Sequence, residues 1–397
     1  MSQRIKAMIA PAVLAWARTS AGYDLLLAAQ KAGVDPDALA AWESGDDQPS
    51  IPQLRKLAEL YKRPLAVMYL PEPPLSFQPM QDFRRLPDSG TPRFSPGLTL
   101  EIRNAHQRRQ LTLDLLEDEG EQATAFPLQT TIDAKVNDVA AAIRMALSVT
   151  YELQSHWRDP LVAFRAWRSR IEELGVLIFQ ASRIESGEAS GFAYWAETLP
   201  FMVVSRKDTY SRRTFSLLHE LAHLMLHQSG VSDLDEVGRR SVDHERIEVF
   251  CNQVAAATLM PQELFLAEPL IAGQAHNQRE WADDTIKELS VIYGVSREAV
   301  VRRLLTFGRT TEGFYQRKRT QYVQEFHHQR EREKTKRGDK GIPRNMPRET
   351  VADYGRPFVR TVLAGYHADR LSLADVSGYL GVKVRHLAGI EQTIGLS

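Results

Sequence analysis

The sequence predicts a mainly α-helical chain with one small antiparallel sheet, an α+β protein. Three observations predict it. Apolar residues recur at helical spacing over most of the 397 residues, as at Val136, Val139, Ala140, Ile143 and Leu147. The period shortens to brief apolar runs only between residues 175 and 205. The stretch Phe215 to Gln228 reads as one helix, with Leu218, Leu221, Ala222 and Met225 on its apolar face and no Pro or Gly before Gly230.

Composition bounds the rest. Length suggests two or three domains, and 43% hydrophobic with 25% charged residues is ordinary for a globular core. Fifty basic and fifty acidic residues balance, so the whole molecule is no polyanion binder and any basic surface is local. The one cysteine, Cys251, excludes an internal disulfide framework and fits a reducing cytoplasm. Met1 to Ala17 lacks a long apolar run and a cleavage site, so no leader is expected. No run approaches ~18 apolar residues, so no membrane span is expected.

From Met8 to about Leu70 the pattern is some five short helices. The first ends at Arg18, and the second covers Tyr23 to Ala32 before a Gly33-Val34 turn. Asp35 or Asp37 caps a third, with Pro36 near its first position. A fourth runs from Ile51 to Tyr61 with Leu54, Leu57 and Ala58 inward. The stretch LLLAAQKAGVDPDALAAWESGDDQPSIPQLRKLAELYKRPL resembles the XRE-type helix-turn-helix of phage repressors. A base-reading helix offers Arg, Lys, Asn, Gln or Ser. Here Asp35 to Trp42 carries two carboxylates and no basic side chain, and residues 1–72 hold eight basic and eight acidic groups. DNA binding and protein docking therefore both stand as expectations for residues 1–72. Arg18, Lys31 and Asp37 are the candidate contacts, and Trp42 is read as core.

Residues 73–97 lie in a Pro-rich run and read as a linker. Helices are expected over Leu98 to Asp118, Thr131 to Leu147 and Pro160 to Leu174. Gly175 to Gln180 is a strand, and Gly191 to Ala196 with Phe201 to Ser205 form a hairpin around Glu197 to Pro200. Such a sheet either roofs the helix that follows or offers an edge to an extended peptide. Arg212 and Arg213, just before that helix, are read as structural or as carboxylate partners.

The helix contains H-E-x-x-H. His219 and His223, four apart, point the same way and can share one Zn²⁺ at roughly 2.0–2.1 Å. Glu220 follows directly, placed as general base toward a water that the metal activates. A third ligand is needed. Glu248, Cys251 and Asn252 share a helix face downstream, and two histidines with a glutamate leave the open position of a catalytic zinc. Asn252 suits a hydrogen bond that orients a ligand, and Glu245 and Asp243 are fallback ligands. His227, one turn past His223, stabilises an oxyanion or supports a ligand, or is a structural histidine. Cys251 reads as a small buried residue rather than a redox switch.

The runs HELAHLMLH (His219 to His227) and EVFCNQVAAATLMP (Glu248 to Pro261) resemble the ImmA/IrrE metallopeptidases. The resemblance implies a zincin-like minimal peptidase core over residues 98–275, with His219, His223 and Glu248 on zinc and Glu220 as catalytic acid/base. Cys251, Val254 and Thr258 depart from the family's E-x-x-A-N-x-F-A-A-x-L-L-M-P pattern at packing positions. The substrate implied is a repressor or other regulator.

Residues 276–397 read as helical, with two helices around Gly294-Val295-Ser296 and a small bundle over Phe358 to Leu387. Residues 309–348 carry twelve basic and five acidic groups with aromatics between. That is a nucleic-acid patch or a solvated helix with a loop. The leading expectation is a cytoplasmic zinc endopeptidase acting on a repressor, a regulator or the toxin of an adjacent gene, with DNA as a further partner and oligomers open. The rivals are an antitoxin or regulator of a two-gene or mobile-element system with a non-proteolytic zinc site, and a DNA-binding repressor.

Overall fold

The computed structural model describes residues 5–74, 94–185, 187–232, 242–275, 279–336 and 345–395, with backbone alone at 230–232, 242–243, 327 and 329–336. Most of the expected linker, the Asp243 side chain and the basic stretch 337–344 lie outside what is described. Two compact units emerge. One is Met1–Met80, Asp88–His106 and Arg183–Glu185; the other is Gln81–Pro87, Gln107–Ser182 and Ser186–Ser397.

The first unit holds α1 (Pro11–Thr19), α2 (Leu25–Ala32), α3 (Pro36–Ser44), α4 (Ile51–Leu60) and the opening turns of α5 (Pro96–Asp118). Local chemistry sets the boundaries. The Asp24 carboxylate accepts from Leu27 N at 2.7 Å and starts α2, and Gly33 ends it at φ 65°, a left-handed turn that costs glycine little. Of the two candidate caps for α3 it is Asp35, accepting from Asp37 N at 2.8 Å. Leu14, Leu39, Trp42, Leu54, Leu57 and Tyr61 form the core, as the apolar spacing and the reading of Trp42 require.

The second unit carries α6 (Val136–Ala146), α7 (Tyr151–Ser155), α8 (Pro160–Glu172), β1 (Leu177–Ala181), β2 (Gly191–Tyr194), β3 (Phe201–Ser205), α9 (Tyr210–Met225), β4 (Gly230–Ser232) and α10 (Val242–Leu259). α9 packs between α8, α10 and the β2–β3 hairpin, and α6 backs α10. Val139, Ala140, Ile143 and Leu147 are buried, as their spacing predicts.

The sheet runs β1-β3-β2-β4. The hairpin is antiparallel as expected, with Ala193 opposite Met202, and β4 adds antiparallel to β2. The expectation of an antiparallel sheet throughout needs correcting: β1 joins β3 in parallel, because the chain passes β3's place to build β2 and then returns between them.

Helices complete the unit: α11 (Gln262–Ala267), α12 (Pro269–Ala272), α13 (Asp283–Tyr293), α14 (Arg297–Thr306), α15 (Glu312–Lys336), α16 (Met346–Tyr354), α17 (Arg356–His367), α18 (Leu373–Tyr379) and α19 (Leu387–Ile394). Gly294 at φ 67° and the Ser296 cap separate α13 from α14, as the Gly-Val-Ser signal implies.

α16 packs on β1, and buried Arg168 binds the two together. Its guanidinium donates to Ile178 O, to Ala352 O and, at 2.8 Å, to Glu172 Oε1. Arg206 adds ion pairs to Asp353 at 2.6 Å and Glu349 at 3.1 Å. Among the described residues no helix is long and apolar enough to cross a membrane.

Arg168→Ala strands a buried Glu172 carboxylate. Losing one partner of a buried pair costs about 3–5 kcal/mol, so a large drop in the thermal midpoint is expected. A midpoint unchanged within a degree would deny Arg168 this role.

Candidate metal centre

α9 is unbroken over its sixteen residues, so the i,i+4 rule operates without distortion. His219 and His223 come together with their Nε2 atoms 3.1 Å apart and ring centroids 4.8 Å apart. α10 packs against α9 and brings Glu248 across: Oε2 is 3.4 Å from His219 Nε2 and Oε1 is 3.3 Å from His223 Nε2. The three ligand atoms all lie within 4.8 Å of one another. His219 is 0% exposed, His223 1% and Glu248 4%.

Burial alone would push the Glu248 carboxyl up. Hydrogen bonds and charge from His219 and His223 outweigh it and hold the group well below the usual carboxylate range. The site thus sets an anion beside two imidazoles where water is scarce. An uncompensated buried charge is costly, and a donor set of two nitrogens and one carboxylate oxygen meets that cost by taking a divalent cation. The residues present fit a zinc ion.

Glu220 is 1% exposed and faces β2. A Cβ on Gly191 would stand 3.1 Å from Glu220 Oε1 and 2.7 Å from Val203 O. Gly191 therefore lets β2 lie against the carboxylate while keeping its ladder to β3. Sequence reading missed this residue. The available signal was a glycine at the head of an apolar strand, which marks a close approach.

The other candidates sort by position. Cys251 is fully buried on α10, and burial, then Glu248 and Glu220, push its thiol up. Cys251 lies outside the His219, His223 and Glu248 cluster and packs in the core. Asn252 is half-buried one turn after Glu248, and its side chain makes no hydrogen bond among the described residues. His227 sits just past the end of α9 at φ 57° and stacks on Trp195, centroids 4.5 Å apart. Neither is in the three-residue cluster, and neither is Glu245, which is half-buried. Arg213 is structural, donating to Gln180 Oε1 at 2.8 Å and Asp208 O at 2.9 Å, while Arg212 reaches Ser190 Oγ at 3.2 Å.

In the first unit Arg18 is used internally, as a two-pronged pair to Glu43 at 2.8 Å on each prong and a bond to Tyr23 O. Lys31 and Asp37 are exposed. α3 shows Asp37, Ala40 and Ser44 to solvent. In the basic segment Arg309 is buried on Ile271 O, Arg317 pairs with Glu280, and Lys318 holds Asp283 at 2.9 Å. All three are paired within the chain, Arg309 in the interior and Arg317 in a solvent-exposed pair.

Residues 171–305 match the model of a peptidase family described as the IrrE N-terminal-like domain, and residues 14–68 match a helix-turn-helix model. Both resemblances drawn from the sequence are met. No curated protein matches the chain.

Single replacement of His219, His223 or Glu248 by Ala should weaken zinc binding by more than about 100-fold, beyond the 10–100-fold that a lost supporting hydrogen bond costs. Cys251→Ser should leave it unchanged. Competition with a chromogenic chelator reads both; zinc lost with the cysteine but kept without Glu248 would reverse the assignment.

Proposed function

We propose that this chain is a cytoplasmic zinc endopeptidase that cuts a repressor or other regulatory protein, with residues 1–72 docking substrate or DNA, residues 98–275 doing the chemistry and residues 276–397 supporting them. The observation that carries the reading is the buried meeting of His219, His223 and Glu248 with Glu220 beside them. When bound, the ion supplies Lewis acidity for a peptide carbonyl and for water.

The chain's own groups do the rest. Glu220 takes the proton of the attacking water and returns it to the departing amine, as a positioned carboxylate can. Gly191 keeps a strand close enough to hold that carboxylate in place. An extended peptide paired to a strand edge of the sheet would be oriented by main-chain hydrogen bonds, with side-chain pockets selecting the sequence. The matched IrrE N-terminal-like domain supports metallopeptidase chemistry, and the helix-turn-helix supports a regulatory setting.

A second reading is an antitoxin or transcriptional regulator of a two-gene or mobile-element system whose zinc is not proteolytic. It is favoured by the acidic, small-residue face of α3, which suits protein docking better than phosphate.

Glu220→Gln should hold zinc yet lose roughly 10²–10⁴-fold in cleavage of the co-expressed neighbouring-gene product, the usual weight of a general base. Full-rate cleavage by the zinc-loaded variant would end the peptidase reading. Gly191→Ala should also keep zinc and slow cleavage, because the added methyl presses on the Glu220 carboxylate. An unchanged rate would free Gly191 of that role.

A further inference from the structure

A peptide held for cutting must run beside Glu220, and β2 is the strand that touches Glu220 through Gly191. The sequence leaves two uses open for this sheet, a roof over the helix or an edge for an extended peptide. One edge of the hairpin is β3, already paired with β1. The outer edge of β1 is closed too, since Arg168 takes the Ile178 carbonyl and α16 packs alongside. The remaining edge of the hairpin, on β2, is filled by the chain itself.

The chain turns back sharply to do this. α9 ends at Met225, His227 adopts φ 57°, and its ring stacks on Trp195 at 4.5 Å. Trp195 N donates to Ser229 Oγ at 2.7 Å. β4 then runs antiparallel along β2, setting Gly230 opposite Ala193, Val231 opposite Phe192 and Ser232 opposite Gly191. The last rung is the one beside Glu220.

We propose that β4 is a built-in substrate mimic: it occupies the β2 edge that a peptide substrate needs, and it must peel away before cleavage. This rests on the peptidase reading. Extended segments bind exposed strands through the same main-chain hydrogen bonds that β4 uses. A three-residue strand sits at the short limit of strand length, so exchanging it costs little. The His227–Trp195 stack and the Ser229 contact tether the base of the strap, so it can release and rebind without leaving the site. A protein substrate with its own extended segment competes on equal terms; a short peptide without strand-pairing length does not.

The test uses the full-length, zinc-loaded chain with Val231→Pro, and Ser232→Pro as a second variant, since proline resists strand pairing. Hydrogen exchange over residues 191–194 reads the edge without any need for activity, and fluorogenic casein reads cleavage. Expected are faster exchange in both variants, slowing again when a synthetic peptide of residues 227–233 is added, and a several-fold rise in casein cleavage that Glu220→Gln abolishes. Unchanged exchange in both variants overturns the proposal, because β4 would then not guard the edge. Faster exchange with wild-type cleavage rates overturns the inhibitory role while leaving the peptidase reading intact. If wild type and both variants hold zinc, the variants expose the edge, and none of the three cuts, the peptidase reading fails and takes the mimic with it.

Discussion

The packing of α9 against α10 is the constraint from which the rest follows. It drives an anionic Glu248 into a nearly water-free space between two imidazoles. A helix pair chosen for stability alone would place apolar groups there, as it does with Leu217, Leu221, Val254 and Ala255 nearby. The buried histidines and carboxylates of the two helices, His219, Glu220, His223 and Glu248, are the departure from that rule. The surrounding apolar shell then strengthens every electrostatic interaction inside it. Glu220 shares the burial but turns toward the sheet, so the two carboxylates occupy different walls of the site.

Much of this was legible in the sequence, for physical reasons that can be named. His219 and His223 declare themselves because a helix converts a spacing of four into a shared face. Glu248 was legible for the same reason, sharing a face with Cys251 and Asn252, with Glu245 and Asp243 left as fallbacks until the packing of α10 on α9 brought Glu248 to the histidines. The strands were visible as apolar runs, but their directions were not: β1 and β3 are buried almost throughout, so no alternation marks a face and nothing marks polarity. β4 was invisible, because three residues reading Gly-Val-Ser carry no periodic signal. Gly191 acquires its meaning only when Val203 and Glu220 close in from two sides.

Local charge and tertiary pairing diverge at several basic residues. Arg18 looked like a surface contact, yet Glu43, twenty-five residues away, folds back to claim it. Arg309 looked like part of a basic patch, yet it is buried as a carbonyl cap for the segment around Ile271. Long-range pairing of this kind leaves no trace in local composition. Arg206, just after β3, likewise pairs at long range, with Glu349 and Asp353 of α16. Arg18 and Arg309 thus pair within the fold, whereas Lys31, Arg55 and Lys56 stay exposed on the first unit, as does the acidic, small-residue face of α3.

The central claim is that two imidazoles and one distant carboxylate converge on a single ion with no sulfur among its ligands. Zinc K-edge absorption of the loaded protein tests it most directly. The account predicts a shell of nitrogen and oxygen at roughly 2.0–2.1 Å with multiple scattering from two imidazoles. A sulfur shell at roughly 2.3 Å, or scattering from fewer than two imidazoles, would contradict it.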